Sequence, residues 1–214
     1  TQLIIILKEI IMKKLTYVTE NHEEFLSVKE KLEENNIPID YFGCEMNGFI
    51  INDLSSISKG KAEIAQILLD GPVLVSELGF YIEEYPKNRD YPGAFLKESK
   101  IESNIDKLLE DMKHINKRNC CFIECLTYYD GEELKQFYGA TSGELSEEIK
   151  GDITNPTLFN IFIPSGSDKT ISEMTDEEKE KYIWFNKRPI KDFTEWYKKQ
   201  YKEEKKEYVK NRNK

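Results

Sequence analysis

The stretch PVLVSELGF, residues 72–80, indicates a buried β-strand and decides the fold class of this chain. Its apolar run follows the helix-breaking pair Gly71-Pro72, which separates it from the helical pattern before it. The strand is predicted to end at the acidic residue Glu77, shortly before the permissive Gly79. A carboxylate at a strand end next to a glycine is a common way to place a functional group on a rigid scaffold. Glu77 is therefore the first candidate site residue.

Strands and helices alternate on the amino-terminal side of this stretch. Residues 15–19 and 39–42 are rich in β-branched and aromatic side chains and predict two strands. Helices are predicted between the strands, one capped by Asn21 and one over residues 55–69. The apolar positions that we expect to face the core are Phe25, Val28, Leu32, Ile57, Ala62, Ala65, Ile67 and Leu68. This alternation predicts an α/β fold.

The pattern changes after the central strand. Residues 84–93 are rich in turn formers and predict an exposed loop. Apolar residues at helical spacing over 101–115 predict a helix with a core-facing stripe. Residues 121–129 and 134–138 predict two strands of a hairpin, because an Asp-Gly turn lies between them.

The carboxyl-terminal third predicts one more strand and two helices. Residues 158–163 predict the strand, which a proline follows. A capping box at residues 175–178 opens the first helix. Pro189 suits the first turn of the final helix, with Phe193 and Trp196 as its anchors in the core.

Composition excludes several classes of function. The net charge of −9 disfavours a nucleic-acid-binding surface, although a local basic pocket for phosphates remains compatible with it. No apolar stretch is long enough to cross a membrane. We therefore expect neither a nucleic acid nor a membrane as a partner. The 4 cysteines and 2 histidines give no zinc spacing, which predicts buried free thiols in a reducing cytoplasm.

We expect a single α/β domain over residues 12–197 and a charged C-terminal helix or tail over residues 198–214. Residues 1–11 are apolar, but the segment is too short and too charged for a membrane span. We interpret it as translated upstream sequence, with Met12 as the natural start; the alternative is an extra strand or helix. The charged tail is expected to be a solvated helix end, with partner binding as the other interpretation.

Several blocks between residues 14 and 196 resemble the inosine-triphosphate pyrophosphatase family, whose members remove aberrant purine nucleoside triphosphates from the nucleotide pool. The blocks that build strands, turns and caps are retained. They are Thr19-Glu20-Asn21, Lys61-Ala62, Ser76-Glu77-Leu78-Gly79, Tyr91-Pro92-Gly93, Tyr129-Asp130-Gly131, Gly139, Gly143 and residues 161–164, 168–170 and 173–179. Their order and spacing carry the resemblance.

The blocks that handle phosphate and metal in that family are altered. The phosphate-binding lysine of its Thr-x-Asn-x-x-Lys turn has become Glu24. Counting back from Lys61 puts Gly48 where the metal-associated Glu of a Glu-Ile-Gln segment belongs. The signature strand keeps its second acid as Glu77 and has Ser76 in place of the first.

The base-reading blocks are altered as well. The base-binding Gly-Phe-Gly-Tyr-Asp-Pro segment of the family is replaced around residues 155–160, and its Ser-His-Arg motif is replaced by residues 184–186. Leu96 lies where a phosphate-contacting serine would fall. Retained scaffold with altered contacts predicts a relaxed or redirected function on the same fold.

The resemblance implies a twisted mixed β-sheet flanked by helices, with two lobes around a central nucleotide cleft, and a homodimer. It implies a hydrolase that converts a nucleoside triphosphate and water to a nucleoside monophosphate and pyrophosphate with Mg²⁺. The specificity for aberrant or modified nucleotides is expected to have diverged. The alternative is a catalytically inactive relative that acts as a nucleotide-binding module, a protein-interaction module or a structural dimer partner.

The resemblance also implies site residues. Glu77 is the candidate catalytic residue and metal ligand, because it retains the acid of the signature strand. The candidate substrate-binding residues are Thr19, Asn21, Lys61, Lys179 and Arg188. Structural roles compete with these assignments: a salt bridge for Glu77, a helix cap for Asn21, and ordinary helix-surface or ion-pair positions for Lys61, Lys179 and Arg188.

Overall fold

The computed structural model describes residues 14–152 and 154–212 of the chain, with side chains up to residue 200. The expected upstream extension at residues 1–11 lies outside the described residues. Within the described chain, seven strands form one sheet. They are β1 (Leu15–Val18), β2 (Ile39–Phe42), β3 (Val73–Ile82), β4 (Tyr91–Gly93), β5 (Asn119–Tyr129), β6 (Leu134–Leu145) and β7 (Phe162–Pro164).

Six α-helices flank the sheet in the same part of the chain. They are α1 (His22–Glu33), α2 (Leu54–Leu69), α3 (Leu96–Ser99), α4 (Ile105–Asp111), α5 (Asp176–Tyr182) and α6 (Arg188–Arg212). Short 3₁₀ turns occur at Ile101–Ser103, Leu158–Asn160 and Ile171–Glu173. None of the helices is long and apolar enough to cross a membrane, as far as the described residues extend.

The sheet is mixed, with strand order β2-β1-β3-β5-β6-β7 and β4 paired to β3. Strands β1, β2 and β3 are parallel, whereas β5 and β6 are antiparallel to their neighbours. The predicted α/β fold, a mixed sheet flanked by helices, is confirmed. Parallel pairing needs a crossover, and helices α1 and α2 provide it.

Two layers of side chains hold the helices to the sheet. Helix α2 covers one face, where Ala62 and Ala65 pack against Val73 and Val75. Helices α1 and α6 cover the other face around Leu74 and Phe193. Because strand side chains alternate between faces, Ser76 belongs to the α1 side and Glu77 to the α2 side. Neighbouring residues of β3 therefore serve two different environments.

Two elements differ from the sequence prediction because pairing extends further than local pattern suggests. Strand β3 does not end at Glu77, since it pairs with β5 as far as Ile82. Gly79 is required there by close contact: a Cβ atom would lie 2.7 Å from the Tyr81 ring and 3.1 Å from the carbonyl oxygen of Gly93. Tyr91–Gly93, expected in an exposed loop, is strand β4 and pairs with the end of β3.

Two further predictions need correction. Ile67 and Leu68 were expected in the core, but they are 76% and 61% exposed. They lie on the outer face of α2, because its inner face is already formed by Ile57, Ala62 and Ala65. Residues 158–160 form a 3₁₀ turn that starts at a Thr157 capping box, and only Phe162–Pro164 pairs as strand β7.

Candidate active site

A cleft of about 430 Å³ opens at the end of β1 and beside the middle of β3. Its walls come from the turn after β1, the segment after β2, helix α2, strand β3 and the region from α3 to Ser103. Five glutamates and three lysines line it: Glu20, Glu24, Glu45, Glu77, Glu102, Lys61, Lys97 and Lys100. The volume is in the range of small-molecule sites. The glutamates outnumber the lysines, so the lining carries a net negative charge.

Glu77 and Lys61 form a largely buried ion pair in this cleft. The Lys61 Nζ atom lies 2.5 Å from Glu77 Oε1, and the two side chains are only 17% and 16% exposed. Burial raises the pKa of Glu77, and Lys61 opposes that rise. Lys61 points inward because the small residues of α2 allow this helix to approach β3 closely, and its ammonium group also lies 6.0 Å from the centre of the Phe49 ring. The pair combines a carboxylate with a cation that a phosphate could bind.

Glu24 is held by two hydroxyl groups. Its carboxylate accepts hydrogen bonds from the phenol of Tyr17 and, at 3.0 Å, from Thr19 Oγ1. Asn21 caps helix α1, because its Oδ1 atom accepts the backbone N–H groups of Glu23 and Glu24. The substituted acid at residue 24 is therefore a fixed part of the cleft wall, with its negative charge directed at the site.

Ser76 lies on the same wall, and a second, partly buried carboxylate lies behind it. The Ser76 hydroxyl donates a hydrogen bond of 2.8 Å to Glu124 Oε1 on strand β5. Burial raises the pKa of Glu124 to about 7; Ser76 and Lys31 lower it, and Glu24 raises it further. Glu124 does not contribute to the cleft lining itself.

Lys97 bridges two acids at the mouth of the cleft. Its ammonium group contacts Glu20 and lies 2.8 Å from Glu45 Oε1. Residues 44–47 reach the lining as one segment, whereas Gly48 has open space around its Cα atom and is not part of the lining. Gly48, the position reached by counting back from Lys61, therefore lies outside the lining, whereas Glu45 of the same segment lies in it.

The structure brings together four of the six predicted site residues: Thr19, Asn21, Lys61 and Glu77. The other two, Lys179 and Arg188, lie outside the cleft lining. Lys179 Nζ is 3.5 Å from Asp176, and Arg188 Nε is 3.3 Å from Asp192. Both contacts are exposed ion pairs along a helix, which contribute little stability.

The residues that replace the base-reading motif divide between core and surface. Phe185 is buried and stacks on Phe122 with ring centres 5.1 Å apart, whereas the Trp184 side chain is 51% exposed. Lys97 lines the cleft, and Tyr17 and Glu124 hydrogen-bond to lining residues, but none of the three was predicted from the sequence. Tyr17 and Glu124 have no local signal, because they come to the cleft wall only through strand pairing and helix packing.

The donor set suits magnesium only together with a ligand. Within the described part of the chain, no group of three or more His, Cys, Asp or Glu side chains is placed to hold a metal ion. Mg²⁺ usually binds proteins through one or two carboxylates and takes its other ligands from water and phosphate oxygens. The Glu77 carboxylate fits this mode of binding, provided that it can contact Lys61 and the metal ion at the same time.

Fold and cleft together define an α/β protein with a charged cleft beside its central strand. The family model of the Ham1 family matches residues 15–196, and the chain belongs to this family. The dITP/XTP pyrophosphatase of Saccharolobus solfataricus is 30% identical over 169 residues, which cover 79% of this chain and 86% of that protein. The dITP/XTP pyrophosphatase of Thermococcus kodakarensis is 27% identical, over 86% of this chain and 97% of that protein.

Solved structures of the family share the fold. The Ham1 protein of Staphylococcus aureus superposes with a TM-score of 0.68 at 19% identity, over 86% of this chain and 99% of that one. A HAM1 protein of Coxiella burnetii gives a TM-score of 0.72 at 17% identity, again over 86% and 99% of the two chains. The architecture is thus retained although most side chains differ.

Proposed function

We propose that this protein is a metal-dependent nucleoside triphosphate pyrophosphatase that releases a nucleoside monophosphate and pyrophosphate. Family membership supports the reaction class, because relatives over most of the chain carry the name dITP/XTP pyrophosphatase. The observation that carries the proposal is the Lys61–Glu77 pair in the cleft, at 2.5 Å, beside Thr19 and Asn21. The reaction needs a cation on the phosphates and a carboxylate near the attacked phosphorus, and this pair offers both.

Lys61 and Glu77 have different roles in this proposal. Lys61 neutralises Glu77 in the free cleft and pairs with a substrate phosphate when one is bound, which frees a Glu77 oxygen. That oxygen would hold the metal ion or orient the attacking water. Mg²⁺, when bound, supplies positive charge to the phosphates and polarises them. Burial raises the pKa of Glu77, which makes its carboxylate a stronger base than that of an exposed glutamate.

The substrate is an aberrant or modified nucleotide whose identity differs from that of the relatives. Residues 184–186 do not reproduce a polar base-reading motif, since Phe185 is buried and Trp184 presents an apolar surface. Pyrophosphate release should therefore be measured with Mg²⁺ or Mn²⁺ over standard, deaminated and modified nucleoside triphosphates, without assuming a base.

The decisive variant is Glu77→Gln. It keeps the shape of the side chain but removes its charge, so turnover of the best substrate is expected to fall by at least about 100-fold. Glu132→Gln, in the exposed hairpin turn, is the matched control and should leave turnover unchanged. Native protein that binds nucleotide without releasing pyrophosphate would instead support a non-catalytic binding module, and Glu77→Gln would then change affinity alone.

We also propose a homodimer that forms through the outer face of α2, and a cytoplasmic location. The exposed residues of this face are Ile64, Ile67 and Leu68, and Phe49 packs on Gly60 so that Ile50 and Ile51 adjoin the same helix. A second copy of the chain fits this face because the face is electrically neutral, with Lys59 and Glu63 paired at 3.7 Å. Elsewhere on the surface, the net charge of −9 makes two copies repel each other. The four cysteines are free thiols, which suits a reducing compartment.

A further inference from the structure

Two groups of hydrogen bonds lie in the wall of the cleft, one at Glu24 and one at Glu124. The hydroxyl groups of Tyr17 and Thr19 both donate to Glu24, and the hydroxyl of Ser76 donates to Glu124. Tyr17 is completely buried, while Thr19 and Ser76 face the cleft. The hydroxyl protons of Tyr17, Thr19 and Ser76 are therefore each directed toward a carboxylate, and that of Ser76 toward one outside the cleft lining.

The direction of a hydroxyl proton decides what the oxygen can bind. A serine hydroxyl has one proton and two lone pairs, so Ser76, while donating to Glu124, can offer the cleft only a hydrogen-bond acceptor. An acceptor binds a water molecule or an N–H or O–H group of a ligand, and it repels a phosphate oxygen. Ser76 thus differs from a serine whose hydroxyl is free to rotate.

We propose that Glu124 is a positioning residue for the reaction: it holds the Ser76 hydroxyl so that Ser76 accepts a hydrogen bond from a water molecule in the cleft. The role in catalysis rests on the proposed function, whereas the orientation of Ser76 is a property of the protein alone. Glu124 acts from behind the wall and makes no contact with substrate. Its carboxylate is on the face of β3 opposite to Glu77, so the two acids serve the cleft from different sides of the sheet.

Protonation of Glu124 reverses the arrangement. A protonated carboxyl group can donate its proton to Ser76, and the Ser76 hydroxyl is then released to donate into the cleft. The charged groups facing Glu124 are Glu24 and Lys31 on α1, and Tyr17 on β1 adds a phenol. On the β6 side the paired residue is Gly139, which has no side chain. Since the pKa of Glu124 lies at about 7, the reversal falls in the working range of most enzymes.

The test compares pH profiles of kcat/KM, with the best nucleotide, for native protein, Glu124→Gln, Ser76→Ala and the control Glu132→Gln. Native protein and the control should gain activity as pH rises through about 7. In Glu124→Gln the transition should be absent, with activity about tenfold below native at pH 8 and within about twofold of native at pH 6. A merely structural role for Glu124 would reduce activity by the same factor at every pH and would overturn the proposal.

A second measurement needs no turnover and separates this proposal from the proposed function. The Glu124 carboxyl carbon can be followed by NMR through a pH titration, with its signal assigned by its loss in Glu124→Gln. Removing the donor in Ser76→Ala destabilises the carboxylate, so the Glu124 pKa should rise. An unchanged pKa in Ser76→Ala would show that Ser76 does not donate to Glu124 and would refute the positioning role, whether or not any nucleotide is hydrolysed.

Discussion

At the scale of single residues, the cleft is defined by where its negative charges are fixed. Glu24 is held by Tyr17 and Thr19, so its carboxylate cannot turn away from a ligand. Asn21 is compatible with both roles considered for it, helix cap and binding residue, since it caps α1 and also lines the cleft. The opposite charges of Lys61 and Glu77 neutralise each other, whereas Glu24 has no lysine partner within the described residues. A triphosphate bound here meets repulsion from Glu24 unless cations accompany it.

This repulsion predicts the effect of Glu24→Gln. Removal of one negative charge near the phosphates should lower the KM for a nucleoside triphosphate roughly fivefold, equivalent to about 1 kcal/mol, and the gain should shrink at high salt. Steady-state kinetics at two ionic strengths would measure it. The neighbouring Glu23→Gln, in the same helical turn but exposed and outside the cleft, should have no effect. A higher KM in Glu24→Gln would mean that Glu24 contributes to binding instead.

At the scale of elements, helix α2 positions the Lys61–Glu77 pair. It begins after Asp53, whose carboxylate accepts a hydrogen bond of 2.8 Å from the backbone N–H of Ser56. The inner face of α2 then packs on the sheet and directs Lys61 toward Glu77. The segment before it is tied down by Asn52, whose amide oxygen accepts the backbone N–H of Ala94 at 2.7 Å. The Asp53 cap and the hydrogen bond of Asn52 together fix the residue at which α2 begins.

The cap predicts the effect of Asp53→Ala. Loss of the cap should reduce the free energy of unfolding by about 1 kcal/mol at neutral pH, as measured by urea denaturation. Hydrogen bonds from Ser56 lower the pKa of Asp53 below its value in an unfolded chain. The stabilisation by its charged form is therefore full above about pH 4 and is lost as pH falls through the lower, folded pKa.

The difference between native and Asp53→Ala protein should accordingly shrink in acid. Asp53→Asn is the matched variant, because asparagine is also a good N-cap and has no charge to titrate. It should retain most of the stability at neutral pH. An equal loss in Asp53→Asn and Asp53→Ala would show that the carboxylate stabilises α2 by its charge and not by capping.

At the scale of the whole molecule, apolar side chains on the outer face of α2 stay exposed after the described helices and strands have packed. They are Ile64, Ile67 and Leu68, and Ile50 and Ile51 are exposed in the segment before this helix. Contiguous patches of this kind on folded proteins commonly mark contact surfaces. A partner on this face would also hold the segment before α2, which carries Glu45 into the cleft. Assembly and the site are therefore expected to be coupled.

The dimer proposal predicts that Ile67→Glu produces monomers. A charge at a side chain that is 76% exposed leaves the fold intact but is costly inside an apolar interface. Sedimentation velocity over a range of concentrations would measure the change, with circular dichroism to confirm folding. Leu26→Glu on α1, at a side chain 43% exposed, is the control and should remain dimeric. Native protein that sediments as a monomer at every concentration would contradict the dimer.

Local pattern predicted the elements where local physics decides them. The strand at Ile39–Phe42, the Asn21 cap and the capping box of Thr175 are found as expected, because propensity and side-chain capping act over a few residues. Gly139 and Gly143 were recognised by spacing, and packing explains them: a Cβ atom would lie 2.1 Å from the Phe185 carbonyl oxygen and 2.3 Å from that of Ile163. Counting along the irregular segment before α2 led to Gly48, which lies outside the cleft lining, whereas Glu45 of the same segment lies in it.

The amino-acid sequence by itself determined the α/β class, the family and the choice of Glu77 as the candidate acid. These depend on periodicity and on the order of motifs along the chain. Only the tertiary structure decided that Glu77 pairs with Lys61, that Glu124 lies behind Ser76, and that Ile67 and Leu68 stay outside the core. These contacts join residues from different strands and helices. Strand register and helix packing create them, and neither leaves a mark in the local sequence.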